Sequence, residues 1–419
     1  MVSRFKIYLG NPLLPLYMLI LLDHMGLGII FPILVPIFMD SNGILGPEAP
    51  DLLKSFWYSA TLSIFPIAMF FGATVLGGLS DQLGRKKVLM ICLLGAAVGY
   101  ALSGLAVDTN NLYLLIFSRG LAGLTAGSMP IAQAAVIDIS DDKNKAGNIG
   151  LVILAASFGF LFGPLVGGFF ANTKIVSWFS YSTPLYFSSL MAVINLVLLR
   201  LFQETFIPKK VVSVSLKQSL SFIVDPFRTK SIRFLASIYL LMQLGWSFYF
   251  QFIAVYLLKK YDFTSQHIAL FMSLMGFGFA LGSGWIPRLI AQYLRDNLAA
   301  LGCLAIATLS ILATVSDIHI SIAWFASFAL GVTMAAAYSI MIKLFSNSVS
   351  EEKQGWIMGV SEAIVAVTWA ITPLLSSYLE NVAISIPLVF SMGLLLISTI
   401  MLIYWKPVRL EIAEPTSDL

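Results

Sequence analysis

Residues 78–87 read GLSDQLGRKK, and this polar stretch between two apolar runs decides the fold. Gly78 and Gly84 permit tight turns and close helix approach, because glycine has no Cβ to block them. Asp81 and Arg85 are placed four residues apart, the spacing at which opposite charges pair on a helical turn. The stretch therefore predicts a short, tightly turned loop that joins two long helices.

The apolar runs on either side of this loop belong to a set of twelve. Apolar residues make up 58% of the chain and charged residues only 11%, with a mean hydropathy of +0.90. Soluble domains carry about 25% charged residues, so lipid is the solvent for most of this chain. Each run has about the 20 residues that a helix needs to cross a bilayer, and none shows the alternation of a membrane barrel. The predicted spans are 12–39, 54–79, 88–107, 111–137, 146–171, 183–203, 233–258, 266–290, 298–316, 320–344, 355–378 and 383–405.

Lysine and arginine are divided unevenly between the two ends of these spans. With both termini on one side, that side carries 20 of the 25 Lys and Arg residues and the other side carries four, while Arg119 lies inside the fourth span. We call these the basic side and the opposite side. The positive-inside rule predicts that the basic side, with both termini, is cytoplasmic. The net charge of +4 results from this topology and does not indicate nucleic-acid binding. The first run is too long for a cleaved signal peptide.

The longest polar interruption divides the chain into two halves. We predict an N-terminal six-helix bundle over 1–203, a cytoplasmic linker over 204–232, and a C-terminal six-helix bundle with a short tail over 233–419. Apolar residues recur at helical spacing within the linker, which predicts a short interfacial helix. These residues are Leu216, Leu220, Ile223 and Val224.

The halves retain traces of an internal repeat. SDDK at 140–143 matches SEEK at 350–353, and GPL at 163–165 matches TPL at 372–374. A third match, in the same order, relates the first span to the seventh. Internal repeats are typical of secondary transporters, whose substrate site lies between the halves near the bilayer midplane.

Two acidic residues lie inside predicted spans. Asp23 interrupts the apolar run 17–39, where a charged Asp costs roughly 2.5 to 3.5 kcal/mol on insertion scales, so a functional role is the default interpretation. A carboxyl group in such surroundings can carry protons. Glu362 lies inside 355–378 and is a second candidate proton carrier or a binding group for a cationic substrate; alternatively, it faces a water-filled vestibule.

The fourth span contains RGLAGLTAG at 119–127. Its small residues, four and eight positions after Arg119, let a neighbouring helix approach closely. A guanidinium group in lipid needs an acceptor, and Asp23 is the candidate. The alternative is structural: Arg119 holds helices together through backbone carbonyl groups.

The fifth span reads GFLFGPLVGG at 159–168, a pattern that predicts a bent helix packed tightly against the opposite half. The residues of this motif are Gly159, Gly163, Pro164, Gly167 and Gly168. Polar, aromatic and methionine side chains on other spans are candidates for lining a substrate cavity, with ordinary packing as the alternative for each. They are Met129, Gln133, Gln243, Trp246, Tyr249, Gln251 and Tyr338.

Four of these stretches resemble signatures of the major facilitator superfamily. Residues 78–87 resemble its loop signature G-x-L-x-D-x-x-G-R-K/R, and residues 119–127 resemble R-x-x-x-G-x-x-x-G. LDHMGLGIIFP at 22–32 resembles the L-D-x-x-G-x-G-x-x-x-P segment of twelve-helix drug:proton antiporters, including tetracycline exporters. Residues 159–168 resemble an element of the antiporter branch. The resemblance implies an all-α membrane fold with twelve transmembrane helices in two six-helix bundles.

The resemblance also implies roles for particular residues. Asp23 and Arg119 would handle the coupled proton, and a relay would hold the cytoplasmic side shut in the outward-open state. The relay and its loop comprise Gly78, Asp81, Gly84, Arg85 and Asp138. The second half diverges more, so the resemblance does not transfer a substrate.

Other functional classes lack sequence support. No spacing indicates a metal site, no phosphate-binding glycine loop is present, and Cys92 and Cys303 are isolated from one another, so we expect neither cofactor, disulfide nor enzymatic activity. We predict a monomeric proton-coupled antiporter in the bacterial inner membrane that exports a small drug-like compound or metabolite and interacts with protons and lipid. One alternative is a proton symporter that imports a metabolite or a metal-chelating compound such as a siderophore. A second is a non-transporting membrane receptor or assembly protein.

Overall fold

The computed structural model describes residues 13–40, 43–141, 144–204, 216–284, 286–290, 292–350 and 353–405. These residues form fifteen α-helices joined by short loops, with a 3₁₀ turn at Leu199–Leu201. In chain order the helices are α1 (Leu14–Met39), α2 (Asp51–Leu83), α3 (Arg85–Asp108), α4 (Leu112–Leu124), α5 (Ser128–Ile139), α6 (Lys145–Phe170), α7 (Thr183–Leu198), α8 (Leu216–Arg228), α9 (Arg233–Tyr261), α10 (Ser265–Gly284), α11 (Ile286–Ile290), α12 (Asp296–Val315), α13 (Ile320–Asn347), α14 (Gln354–Leu379) and α15 (Ile386–Tyr404).

Twelve spans in the described residues are long and apolar enough to cross a membrane, as the sequence predicts. The fourth differs in form, because it consists of two helices, α4 and α5, separated by a break at residues 125–127. The Thr125 hydroxyl donates to the Leu121 and Ala122 carbonyl oxygens at 3.1 Å each. Because the Ala126 N–H donates to Gly123, the Thr125 hydroxyl gives the Ala122 carbonyl oxygen a donor that the break removes.

The spans pack as two six-helix groups. In the first, α1 packs on α6, α2 on α4, and α3 on α4 and α7. In the second, α10 and α12 pack on α13, and α9 packs on α15 and α14. Two seams join the groups, α6 against α10 and α2 against α14. The linker helix α8, predicted from its apolar spacing, lies against α14 and α9.

Candidate functional site

Asp23 lies within α1, about 14 Å along the helix from its basic-side end. Its side chain is half-buried, and its carboxylate accepts a hydrogen bond from the hydroxyl of Ser128, the first residue of α5. Ser128 is 1% exposed. No motif in the sequence singles out Ser128.

Arg119 is buried on α4 but does not form the ion pair with Asp23 that the sequence led us to expect. Its guanidinium carbon lies 4.6 Å from the centre of the Phe65 ring on α2, a cation–π contact, and its Nε has no hydrogen-bond partner among the described residues. The pairing fails because Asp23 is bonded to Ser128, whereas Arg119 is turned toward α2.

Tyr100 is a residue that interacts electrostatically with both Asp23 and Arg119. This buried α3 residue lies within electrostatic reach of both charges. Its hydroxyl lies directly against Gly26, where any Cβ would collide with it. Gly26 therefore lets a tyrosine hydroxyl reach α1 one turn beyond Asp23, a contact that was not predicted from the sequence.

The glycine motif of α6 forms a seam against α1. A Cβ at Gly159 would lie 2.6 Å from the Leu21 carbonyl oxygen, and one at Gly163 would lie 2.6 Å from that of Met25. Gly167 makes the same kind of approach, because residues four apart share one face of a helix. The same stretch also packs against the opposite half: Gly168 lies against Ala269 of α10, and a Cβ at Gly276 of α10 would lie 2.8 Å from the Phe160 carbonyl oxygen. Pro164 contacts Gly28 within the first half.

Replacing Gly163 with alanine is expected to lower stability by about 1–3 kcal/mol, since the new methyl group meets backbone atoms of α1 that cannot move alone. The measurement is thermal unfolding of the purified protein, followed by tryptophan fluorescence. Gly147→Ala on the same helix is the matched control, because a Cβ there meets open space. Equal unfolding temperatures for the two variants would contradict the close packing.

The basic-side loop brings together the predicted acidic and basic residues. Arg85 Nη1 lies 2.7 Å from Asp81 Oδ1, and Arg85 Nε lies 3.7 Å from Asp138 Oδ2 at the end of α5. The turn itself is a single residue, Gly84, with φ of 102°. Gly78 is buried inside α2 and forms no turn, so the predicted loop is shorter than expected. These ion pairs all join helices of the first half.

A second set of contacts ties the same loop to the end of α7. The Glu204 carboxylate accepts hydrogen bonds from the backbone N–H groups of Arg85 and Lys86 at 3.0 and 3.1 Å. Lys86 Nζ donates to the Arg200 and Phe202 carbonyl oxygens. An anion thus lies at the start of α3 and a cation at the end of α7, where each complements the helix dipole. Lys86 therefore has a structural role beyond its contribution to topology.

In the second half, Glu362 lies on α14 about 12 Å from the basic-side end of the helix. Its carboxylate Oε1 is 3.5 Å from the hydroxyl of Tyr338 on α13. Glu362 is exposed although it lies well inside the span, so it faces an open cavity between the helices. Asp23 lies at a similar depth in the first half.

The other predicted cavity residues divide into two kinds. Gln243 and Trp246 of α9 are 3% and 7% exposed and occupy the helix stripe between Tyr239 and Phe250. Tyr249 is also fully buried, with its hydroxyl 3.5 Å from that of Thr314, and Gln251, 3% exposed, donates to Ser247 and Thr372 at 2.6 and 2.8 Å. Tyr249 and Gln251 are thus packing residues of the second half. Met129 and Gln133 are half-buried on α5, and Met129 packs on the first-half core.

An aromatic bridge crosses between the halves, and we define it as Phe31, Phe160, Trp246, Phe250 and Trp369. The Phe250 ring centre lies 4.9 Å from that of Phe31, 6.1 Å from Phe160, 5.3 Å from Trp246 and 5.4 Å from Trp369. His24, next to Asp23, contacts Phe160 with ring centres 5.2 Å apart. The bridge therefore extends from beside the first-half carboxylate to the helices of the second half.

The halves are held together on the opposite side by a polar cluster that we call the latch: Ser55, Lys259 and Glu380. Lys259 Nζ lies 3.5 Å from both Ser55 Oγ and Glu380 Oε2. Burial raises the pKa of Glu380, against the opposing effects of the Ser55 hydroxyl and Lys259. Deeper along α2, the Tyr58 hydroxyl donates to the Gln251 carbonyl oxygen at 3.3 Å. These contacts close the opposite side.

Known proteins with similar sequences include tetracycline and quinolone resistance proteins. The chain is 23% identical over 391 residues to a class H tetracycline resistance protein of Pasteurella multocida, covering 90% of this chain and 91% of that protein. It is 24% identical over 401 residues to the quinolone resistance protein NorA of Staphylococcus aureus, covering 95% and 97%.

Solved transporter structures share the fold. A D-xylose-proton symporter superposes with a TM-score of 0.72 at 13% identity, covering 97% of this chain and 98% of that one. The human organic anion transporter MFSD10 gives 0.70 at 18% identity, with 93% and 98% covered. The family model described as Major Facilitator Superfamily matches residues 16–373. The chain therefore belongs to the Major Facilitator Superfamily, a family of membrane transporters.

Proposed function

We propose that this transporter is a proton-coupled antiporter that exports a small organic compound by alternating access. The observation that carries the proposal is the setting of Asp23, a carboxylate within a membrane span that accepts a hydrogen bond from the neutral hydroxyl of Ser128. A carboxylate held by a neutral donor can lose or gain a proton without breaking an ion pair. Tyr100 lies within electrostatic reach of this carboxylate and of Arg119.

The proposed orientation has both termini in the cytoplasm of a bacterial cell, with the protein acting as a monomer in the inner membrane. The uneven distribution of Lys and Arg supports the orientation. The similarity to bacterial tetracycline and quinolone resistance proteins supports export. In this orientation the cavity that contains Glu362 opens to the cytoplasm, and the latch closes the outer side.

The proposed cycle moves residues 1–203 against residues 233–419, with residues 204–232 as the linker. With the outer side open, the substrate leaves and a proton arriving from outside neutralises Asp23. In that state the cytoplasmic side is closed at the gate formed by Asp81, Arg85 and Asp138, whose ion pairs in this structure lie within the first half. The halves then rock back, the latch forms, and Asp23 releases its proton to the cytoplasm.

Proton symport is the alternative that the fold leaves open, since one fold can serve either direction. The test uses everted membrane vesicles with an acid interior, in which a pH-sensitive acridine dye is quenched. For an antiporter, tetracycline, a quinolone or tetraphenylphosphonium restores the fluorescence as protons leave the vesicles. Deeper quenching after the compound is added, as protons enter the vesicles together with it, would indicate symport. The absence of any compound-dependent proton movement would contradict transport coupled to protons.

A further inference from the structure

We propose that Glu362, Tyr338 and Tyr239 form a binding site for a lipophilic organic cation. The site assigns a chemical class to the substrate. It rests on the proposed transport function only in taking the bound cation to be the compound that is exported.

Glu362 lacks a basic partner among the described residues. Five other acidic side chains of the described residues do lie within 4.0 Å of a Lys or Arg nitrogen: Asp81, Asp138, Asp296, Asp317 and Glu380. The hydrogen bond to Glu362 comes instead from the hydroxyl of Tyr338. An ionised carboxylate in a membrane span is costly without a cation. Because Glu362 faces an open cavity, a ligand can supply that cation.

The Tyr239 hydroxyl is fully buried beside the same carboxylate. Gln243 and Tyr338 lie near it, yet no hydrogen bond of acceptable geometry forms to it within the described chain. The Tyr239 and Tyr338 rings are 6.3 Å apart, and Tyr239 lies within electrostatic reach of Glu362. Unpaired buried hydroxyl groups are costly, so a polar ligand atom or a water molecule is expected between these groups.

Two indole groups lie above the carboxylate. Trp369 is seven residues beyond Glu362 on α14, and Trp246 is seven residues beyond Tyr239 on α9. Seven residues make two helical turns, so both indole groups lie about 10 Å above the polar cluster on the same helix faces. A ligand held at Glu362 therefore meets the aromatic bridge with the rest of its body. Aromatic faces attract organic cations.

The same features disfavour a metal ion as the ligand. Hard divalent cations bind six to eight oxygen ligands, or keep their waters around one or two carboxylates. This site offers one carboxylate and two phenolic hydroxyl groups among aromatic rings. No group of three or more His, Cys, Asp or Glu side chains suited to a metal occurs among the described residues. An ammonium or phosphonium group with an aromatic body fits better.

The experiment compares two ions of the same size and shape and of opposite charge, tetraphenylphosphonium and tetraphenylborate. Binding is measured by calorimetry on the purified full-length protein. We expect saturable binding of the phosphonium and weaker or no binding of the borate. Glu362→Gln is expected to weaken phosphonium binding by about tenfold or more, the effect of losing one charge-assisted contact. Glu48→Gln, an exposed position on the opposite side, is the matched control and should bind as the native protein does.

Each remaining outcome overturns the proposal. It fails if the native protein binds no phosphonium, if both ions bind equally, or if Glu362→Gln binds as the native protein does. Thermal unfolding checks that the variants are folded. Glu362→Asp is the second variant, because it keeps the charge and should retain more binding than the glutamine variant. Vesicles report separately on the proposed function: phosphonium binding that depends on Glu362, without proton exchange, would sustain this site and overturn the antiport.

Discussion

Asp23→Asn is expected to reduce transport driven by a proton gradient to the level of vesicles that lack the protein. Asparagine is nearly isosteric and keeps an acceptor for the Ser128 hydroxyl, so the fold and the contact with α5 should survive. The amide cannot gain or lose a proton near neutral pH, so substrate movement loses its link to the gradient. Substrate binding and downhill exchange should persist.

The measurement is compound-induced recovery of acridine fluorescence in everted vesicles, alongside exchange of labelled compound without a gradient. Asp262→Asn is the control, because Asp262 is exposed and has φ of 51°, a conformation that asparagine also adopts. Full gradient-driven transport by the Asp23 variant would show that another group carries the proton. Loss of downhill exchange as well would instead indicate that Asp23 binds the substrate.

Lys259→Ala is expected to open the opposite side. It leaves Glu380, whose side chain is only 4% exposed, without the cation in the latch, and the closed arrangement then contains an uncompensated buried carboxylate. If the closed arrangement loses about 1 kcal/mol or more of stabilisation, the equilibrium shifts toward the open arrangement about fivefold or more. The change should appear as increased access from the opposite side to residues below the latch.

A cysteine at Ser59 can report this access, because Ser59 lies one turn below Ser55 on α2 and is 3% exposed. The native Cys92 and Cys303 are 3% and 5% exposed, so the new thiol should dominate labelling by a membrane-impermeant maleimide. Lys260→Ala is the matched control. Lys260 pairs with Asp317 within the second half at 2.7 Å, and its loss should leave labelling unchanged.

The effect of Lys259→Ala should also depend on pH. Burial raises the pKa of Glu380 in the closed arrangement, so proton binding favours closure, and the stabilisation fades as pH rises through that raised pKa. At low pH the neutral carboxyl no longer needs Lys259, and the variant should approach the native labelling rate. Rates are divided by those of an exposed reference thiol, because maleimide reactivity itself varies with pH. A defect that is constant across pH would contradict a role for the Glu380 charge.

The fold was predictable from sequence because hydropathy and span length reflect the lipid solvent directly. The twelve spans and the interfacial helix lie within a few residues of their predicted positions, and the family can be inferred from short motifs such as residues 78–87. The ion pair of Asp81 and Arg85 was predictable for a similar reason, since it joins residues four apart on one chain segment.

Contacts between helices were harder to predict, because they depend on how each helix is rotated. The sequence pairs Arg119 with Asp23 by charge alone, yet the structure places Ser128 and Tyr100 around the carboxylate. The latch joins Ser55 to Glu380, residues far apart in the chain and outside any motif. Likewise, the glycine motif of α6 indicates close packing but does not specify which neighbour it meets.

The break in the fourth span turns α5 into a separate rod of twelve residues, about 18 Å long. Ser128 at its first residue is bonded to Asp23, and Asp138 near its last turn lies beside Arg85. Since no helical hydrogen bonds fasten this rod to α4 across the break, it can tilt without unwinding. A single short helix, hinged at residues 125–127, therefore carries at one end the hydrogen-bond partner of Asp23 and at the other the ion-pair partner of Arg85.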